Sequence, residues 1–93
     1  MIDDPEITDL RKRIDEIDRA LLALLAERLS VVHAVGEEKL RKGLPVFDPK
    51  REEGLLAHLV ESAPSELDEQ SIRTIFMAIV SESRRLEGAK VNL

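Results

Sequence analysis

A helical pattern of unusual length, from Pro5 to Lys42, covers over a third of the 93-residue chain. No proline interrupts it after Pro5, and apolar residues recur mostly at steps of three or four positions. They are Ile7, Leu10, Ile14, Ile17, Leu21, Leu25, Val32, Val35 and Leu40. Such a helix extends for roughly 57 Å, whereas a compact domain of this size is only about 30 to 35 Å across. We therefore expect its apolar stripe to extend beyond its own subunit and to pair with a second copy of the chain about a two-fold axis.

The rest of the chain predicts two shorter helices, so the expected fold class is all-α with three helices per subunit. Gly43 follows two basic residues and marks the end of the first helix. Asp48, followed by a proline, is a typical start for the second helix. A turn at residues 63–65 separates it from a third helix, which should begin near Asp68 and end at about Glu87.

The length allows one domain, residues 1–93, in which residues 1–4 are expected to form a frayed leader and residues 88–93 a tail. The net charge of −5 and the absence of Trp and Tyr argue against nucleic-acid binding. The longest apolar run, Ala20 to Ala26, is too short to cross a membrane. The acidic N-terminus lacks the apolar segment of a signal peptide. With no cysteine in the chain, we expect a cytoplasmic protein without disulfides or thiolate metal sites.

Two cations interrupt the apolar stripe of the first helix. On a helical wheel, Arg28 and Lys39 lie on the same face as Val32 and Val35, which directs both cations inward. A cation on a buried face is costly unless an anion pairs with it. Carboxylates of the same chain could supply the anions. Two such cations on one stripe, with Arg51 as a third candidate, instead favour a site for an anionic ligand.

The remaining polar residues suggest binding and electrostatics rather than covalent or metal chemistry. His33 and His58 lack the paired spacing of a zinc site, and we interpret both as surface residues. No glycine-rich phosphate loop and no nucleophile motif is recognisable, so neither metal nor cofactor is expected. Polar residues that could accompany the inward cations in binding a small anion with carboxylates and hydroxyls are Asp48, Glu52, Ser83 and Glu87. Such a set could catalyse a reaction only by positioning and electrostatics.

Three segments carry a resemblance to a known family. They are LRKRIDEIDRALLALLAER at residues 10–28, VGEEK at 35–39 and GLPVFDPKREE at 43–53. From about Leu10 to Glu87 the chain resembles the all-helical class of chorismate mutases, in charged positions as well as in apolar pattern. The resemblance implies an intertwined homodimer of three-helix subunits. It also implies an isomerase that converts chorismate to prephenate by a Claisen-type rearrangement, in the shikimate-pathway branch that leads to phenylalanine and tyrosine, without cofactor or metal.

The resemblance further implies two sites, each built from both subunits. Arg11 and Lys39 are about 42 Å apart along one helix, so they can serve one small molecule only if the partner subunit supplies Arg11. By similarity, Arg28 and the partner subunit's Arg11 hold the two substrate carboxylates, because bidentate arginine suits a carboxylate. Arg51 supports the pocket, and Ser83 lines its carboxylate end.

The same resemblance assigns roles around the bond that breaks. Lys39 would donate a hydrogen bond to the ether oxygen as negative charge develops there. Glu52 would accept from the ring hydroxyl, with Asp48 close by. Glu87 occupies a position where many members of the family carry Gln, which donates to the same ether oxygen. Lys39, Glu87 and Arg28 are thus the expected catalytic residues.

Two alternative functions are also considered for a chain with these residues. An isochorismate-pyruvate lyase of the same fold would share the carboxylate-binding arginines and the lysine, but the region around Asp48 and Glu52 resembles the mutases more. A non-catalytic dimerisation or regulatory module is a different class of protein. It would be expected to lose costly inward cations first, and this chain has all of them.

Glu87 generates a prediction about pH, because a carboxyl group can donate a hydrogen bond only when it is protonated. Activity should fall as rising pH removes the Glu87 proton, and a Glu87→Gln variant should flatten that dependence. The measurement is the rate of chorismate consumption across a pH series. A variant that is inactive at every pH would show that Glu87 is not the donor.

Overall fold

The computed structural model describes the backbone of residues 4–91 and the side chains of residues 4–88. Three helices are present, α1 (Pro5–Arg41), α2 (Pro49–Ser62) and α3 (Glu69–Val91), and the described residues include no strand. The all-α prediction is confirmed. The end predicted for the third helix was wrong, because α3 continues past Glu87 to Val91. Gly88 alone does not stop a helix when good helix formers follow it.

Aspartates start all three helices. The Asp4 carboxylate accepts from the backbone N–H groups of Glu6 and Ile7, at 2.8 and 3.2 Å. The carboxylate of Asp48 accepts from the third residue into α2, at 3.1 Å, and that of Asp68 from Ser71, at 2.7 Å. The hydrogen bonds from Ser71, first from its backbone N–H, hold the pKa of Asp68 below its ordinary value. Each cap satisfies donors that the first helical turn leaves open.

Gly43 ends α1 as predicted. Its φ of +69° lies in the left-handed region, which glycine adopts without a steric penalty. Its N–H donates to the carbonyl of Leu40 at 3.2 Å, and the N–H of Leu44 donates to the carbonyl of Lys39 at 2.8 Å. This pair of bonds is the Schellman motif. It closes the last turn of α1 and redirects the chain towards the start of α2.

The chain comprises two units, Met1–Val32 and His33–Leu93. In the second unit α2 packs on α3, and the most buried apolar side chains are Leu56 of α2 and Ile72 of α3, at 6% and 3% exposure. Arg73 of α3 joins the two helices at their surface through an ion pair with Glu53, at 3.2 Å. The small apolar core therefore lies between α2 and α3.

The first unit is helical from Pro5 onward, and its apolar stripe is exposed in the single chain. The large apolar side chains of this unit that lie between 40% and 66% exposed are Ile7, Leu10, Ile14, Ile17, Leu21, Leu22, Leu24, Leu25 and Val31. Among the described residues, no helix is both long and apolar enough to cross a membrane.

Two glycines should respond oppositely to alanine. Gly54 lies inside α2, and an added Cβ would meet nothing within 4 Å, so Gly54→Ala should raise the free energy of unfolding by roughly 0.5–1 kcal/mol. Gly43→Ala should lower it by about 1–2 kcal/mol, because alanine is strained at positive φ. Urea unfolding at one protein concentration measures both changes. A shift in the same direction for both variants would contradict this interpretation.

Candidate active site

Lys39 lies in the last turn of α1 and is half-buried. Its Nζ donates to the backbone carbonyl of Val46 at 3.3 Å. The turn at Gly43 makes this contact possible, because it brings the connecting loop back towards the end of α1. The ammonium group is thus held beside the loop that leads into α2, and an ammonium has two further N–H donors for a ligand.

At the start of α2, Asp48 and Arg51 are connected through the backbone. The side chain of Asp48 accepts from the backbone N–H of Arg51, and both side chains are exposed. Asp48 therefore caps α2, which is a structural role separate from its predicted role in the site. The cap fixes the first turn of α2, from which Arg51 and Glu52 extend.

Glu52 belongs to a polar contact that the sequence did not predict. Its Oε1 accepts from Nη2 of Arg84 on α3. The same guanidinium lies over the ring of Phe47, 4.5 Å from the ring centroid, at a distance suited to a cation–π interaction. Arg84 therefore links the loop before α2, the first turn of α2, and α3. Arg84 directly follows Ser83, a predicted site residue, but nothing in the sequence identifies the partners of Arg84 on other elements.

Glu87 is buried, with 8% exposure. Its Oε2 lies 3.1 Å from Nδ1 of His33 on α1, and an added Cβ at Gly36 would lie 3.5 Å from the same oxygen. The carboxyl group therefore packs directly on α1, one turn before Lys39. Its Oε1 is buried and has no hydrogen-bond partner among the described residues. A solvated, frayed helix end would show neither feature. The Glu87 side chain is therefore held in a defined position against α1.

His33 is a partly exposed residue with polar partners, rather than the isolated surface histidine that the sequence suggested. Its side chain is 37% exposed, and Nε2 lies 2.9 Å from Oε1 of Glu37, in addition to the contact with Glu87. The i,i+4 spacing of His33 and Glu37 was a signal available in the sequence, whereas the partner on α3 was not. His58 is exposed, as predicted.

The remaining predicted residues lie on both units. The Ser83 hydroxyl donates to the carbonyl of Ile79 at 2.8 Å, in the same unit as Lys39, Glu52 and Glu87. Arg11 is exposed and Arg28 half-buried, both in the Met1–Val32 unit. They are 17 residues apart in one helix, about 26 Å along its axis, so one subunit cannot place both on the same small molecule. No group of three or more metal-ligating residues occurs in the described part of the chain.

The three helices and the capping residues that start and end them define an all-helical protein. Residues 10–88 match the family described as chorismate mutase type II. The chain belongs to that family.

Two known proteins with similar sequences support this family assignment. The chain is 32% identical over 83 residues to a chorismate mutase of Methanocaldococcus jannaschii, covering 88% of this chain and 84% of that protein. It is 45% identical over 75 residues to the T-protein of Enterobacter agglomerans, covering 75% of this chain but only 20% of that protein. It thus spans about one fifth of that longer relative.

Superposition on solved structures also supports the three-helix fold. A chorismate mutase of Thermus thermophilus superposes with a TM-score of 0.85 at 40% identity, covering 89% of this chain and 94% of that one. A chorismate mutase of Helicobacter pylori in complex with prephenate gives a TM-score of 0.86, covering 96% and 97%. At 24% identity the second comparison supports the fold alone.

The two roles of Asp48 can be separated. Asp48→Ala removes the acceptor for the Arg51 N–H and should lower the free energy of unfolding by about 1 kcal/mol, whereas Asp48→Asn keeps an acceptor and should be close to neutral. If the negative charge also serves the substrate, both variants should lose activity. Urea unfolding and steady-state kinetics measure the two effects. An equal loss of stability in both variants would contradict the capping role.

Proposed function

We propose that this chain is a chorismate mutase, an isomerase that converts chorismate to prephenate in the biosynthesis of phenylalanine and tyrosine. The observation that carries the proposal is the family match over residues 10–88, which includes every charged residue assigned to the site. The proposed location is the cytoplasm, which suits a chain without cysteine.

The rearrangement needs positioning more than reactive groups. In one concerted step the ether C–O bond breaks and a new C–C bond forms, and no proton is gained or lost. Arg28 and the partner subunit's Arg11 would each bind one substrate carboxylate through charge-assisted hydrogen bonds. Holding both carboxylates selects the compact conformer in which the two reacting carbons lie close together, and so removes much of the entropic barrier.

Lys39 and Glu87 would stabilise the charge that develops on the ether oxygen. The Lys39 ammonium is already held in place by the Val46 carbonyl, so little reorganisation is needed when the charge appears. Oε1 of Glu87 is buried and has no hydrogen-bond partner in the described chain. It can donate to the ether oxygen when it carries a proton. Both groups would bind the transition state more strongly than the substrate, which is the requirement for catalysis.

Glu52 would accept from the hydroxyl group on the substrate ring. Arg84 engages its Oε1, so Oε2 is the oxygen suited to the substrate. The contact of Arg84 with the Phe47 ring fixes the guanidinium and therefore the orientation of the carboxylate. Asp48 and Arg51 complete the start of α2 around this position, and Ser83 would line the carboxylate end.

The proposed active unit is a homodimer in which each site takes Arg11 from the partner. Two features of the first unit support this. The apolar stripe of α1 is exposed in the single chain, and a second copy would bury it. Arg11 and Arg28 are about 26 Å apart along their helix, too far for one dicarboxylate. A two-fold axis relates the two stripes and generates two equivalent sites.

The test of the proposal is turnover of chorismate by the purified chain, with the product identified by NMR. Prephenate should form, and Arg28→Ala should lower kcat/KM by about a hundredfold or more, because a charged contact worth about 3 kcal/mol is lost. Lys12→Ala, which changes an exposed cation one residue from Arg11, is the matched control and should retain activity. Release of pyruvate from isochorismate, or a folded dimer without turnover, would overturn the proposal.

A further inference from the structure

Three side chains form a continuous polar contact from the surface of α1 to the buried carboxyl group of α3. Oε1 of Glu37 lies 2.9 Å from Nε2 of His33, and Nδ1 of the same ring lies 3.1 Å from Oε2 of Glu87. Exposure decreases along the series, from 68% for the Glu37 side chain to 37% for His33 and 11% for Glu87. We call this set the Glu37–His33–Glu87 relay.

The outer contact favours one tautomer of His33. The ionised Glu37 carboxylate can only accept, so the tautomer that suits this contact donates to it from Nε2. A neutral ring with its proton on Nε2 leaves a lone pair on Nδ1. A protonated ring carries N–H on both nitrogens. The atom that faces Glu87 is therefore an acceptor in one state of His33 and a donor in the other.

These two states place a Glu87 proton on different oxygens. Beside a neutral His33, the proton of the carboxyl group is best held on Oε2, where it donates to Nδ1, and Oε1 can then only accept. Beside a protonated His33, the Nδ1–H donates to Oε2, and a proton on the carboxyl group must reside on Oε1. Only the second arrangement lets Oε1, which has no partner among the described residues, donate to a ligand.

We propose that His33 is a positioning residue for the rearrangement: its Nδ1–H binds Oε2 of Glu87 and leaves the proton on Oε1, aimed at the ether oxygen of the substrate. The inference rests on the proposed mutase function. The competent state then holds two protons, one on Nδ1 of His33 and one on Oε1 of Glu87. Activity should consequently fall with rising pH as a two-proton function rather than as a one-proton function.

Two other charged residues of the proposed site have contacts of their own, with groups other than Glu87. On α1, Lys39 lies six residues beyond His33, and its ammonium donates to the Val46 carbonyl. From α2, Glu52 is bound by Arg84 of α3. Among the described residues, His33 is the ionisable side chain that the structure places in contact with the Glu87 carboxyl group.

The experiment is the pH dependence of kcat in four forms of the full chain. On the alkaline side, log kcat of the wild type should fall towards a slope of −2. His33→Asn, which offers a permanent N–H near the position of Nδ1, should reduce the slope to −1. Glu87→Gln should also flatten it to −1, because an amide that faces a neutral His33 turns its NH₂ group towards Nδ1 and away from the substrate. The double variant should be independent of pH.

The matched control is His58→Asn, which changes the exposed histidine of α2 and should leave the slope at −2. A wild-type slope of −1, or an unchanged slope in His33→Asn, would overturn the role of His33 while leaving the mutase function intact. Absence of prephenate from the wild type at every pH would instead overturn the proposed function.

A second measurement does not depend on any variant. The ¹⁵N shifts of the His33 ring, followed by NMR through its titration, should show the Nε2–H tautomer in the neutral state. A neutral ring protonated on Nδ1 would contradict the relay, because Nδ1 would then donate to Glu87 without any second proton.

Discussion

The apolar stripe of α1 is the constraint on which the rest of the structure depends. A 37-residue helix carries large apolar side chains along its length, and nine of them in the Met1–Val32 unit are at least 40% exposed in the single chain. Apolar surface of this extent is rarely left in water, because burial is worth roughly 25 cal/mol for each Å². The small core between α2 and α3 adds to the need for a partner. One physical requirement, covering the stripe, therefore leads to the proposed dimer and to a site that uses both copies.

The residues assigned to the proposed site come from both units of the chain. The His33–Leu93 unit holds the groups assigned to the breaking bond and to the ring hydroxyl, which are Lys39, Glu87 and Glu52. The Met1–Val32 unit holds the two arginines assigned to the carboxylates. The groups of the second unit are fixed by internal contacts, such as those of Lys39 with Val46 and Glu52 with Arg84. Preorganisation of this kind is what a reaction without nucleophile or cofactor requires.

The helices were predictable because residues at their ends have strong capping preferences. Asp48 and Gly43 carry strong cap signals, and both act in the structure as their residue types predict. The end of α3 was placed too early, because Gly88 is not followed by a proline and the helix continues to Val91. The periodicity of α1 also indicated which face is apolar, and the exposure of that face is what the pattern predicts for a helix covered by another subunit.

Contacts between helices could not be predicted from the sequence. The buried state of Glu87 depends on its packing against Gly36 and His33, more than fifty residues earlier. Arg84 meets Glu52 and Phe47 only because α2 packs on α3. Helical periodicity assigns a side chain to a face but does not say which residue of another helix it will meet. The family resemblance supplied the proposed roles of the charged residues, and the structure added the contacts that Lys39, Glu52 and Glu87 make.

The central claim, that each site combines Arg28 of one subunit with Arg11 of the other, is tested most directly by mixing two inactive variants. Arg11→Ala and Arg28→Ala subunits, refolded together in equal amounts, should form about half hybrid dimers, each with one intact site. The mixture should recover about one quarter of wild-type activity, since about half the dimers carry one of two sites. If both arginines served a site within one subunit, no hybrid would contain an intact site. A mixture as inactive as its two components would contradict the account.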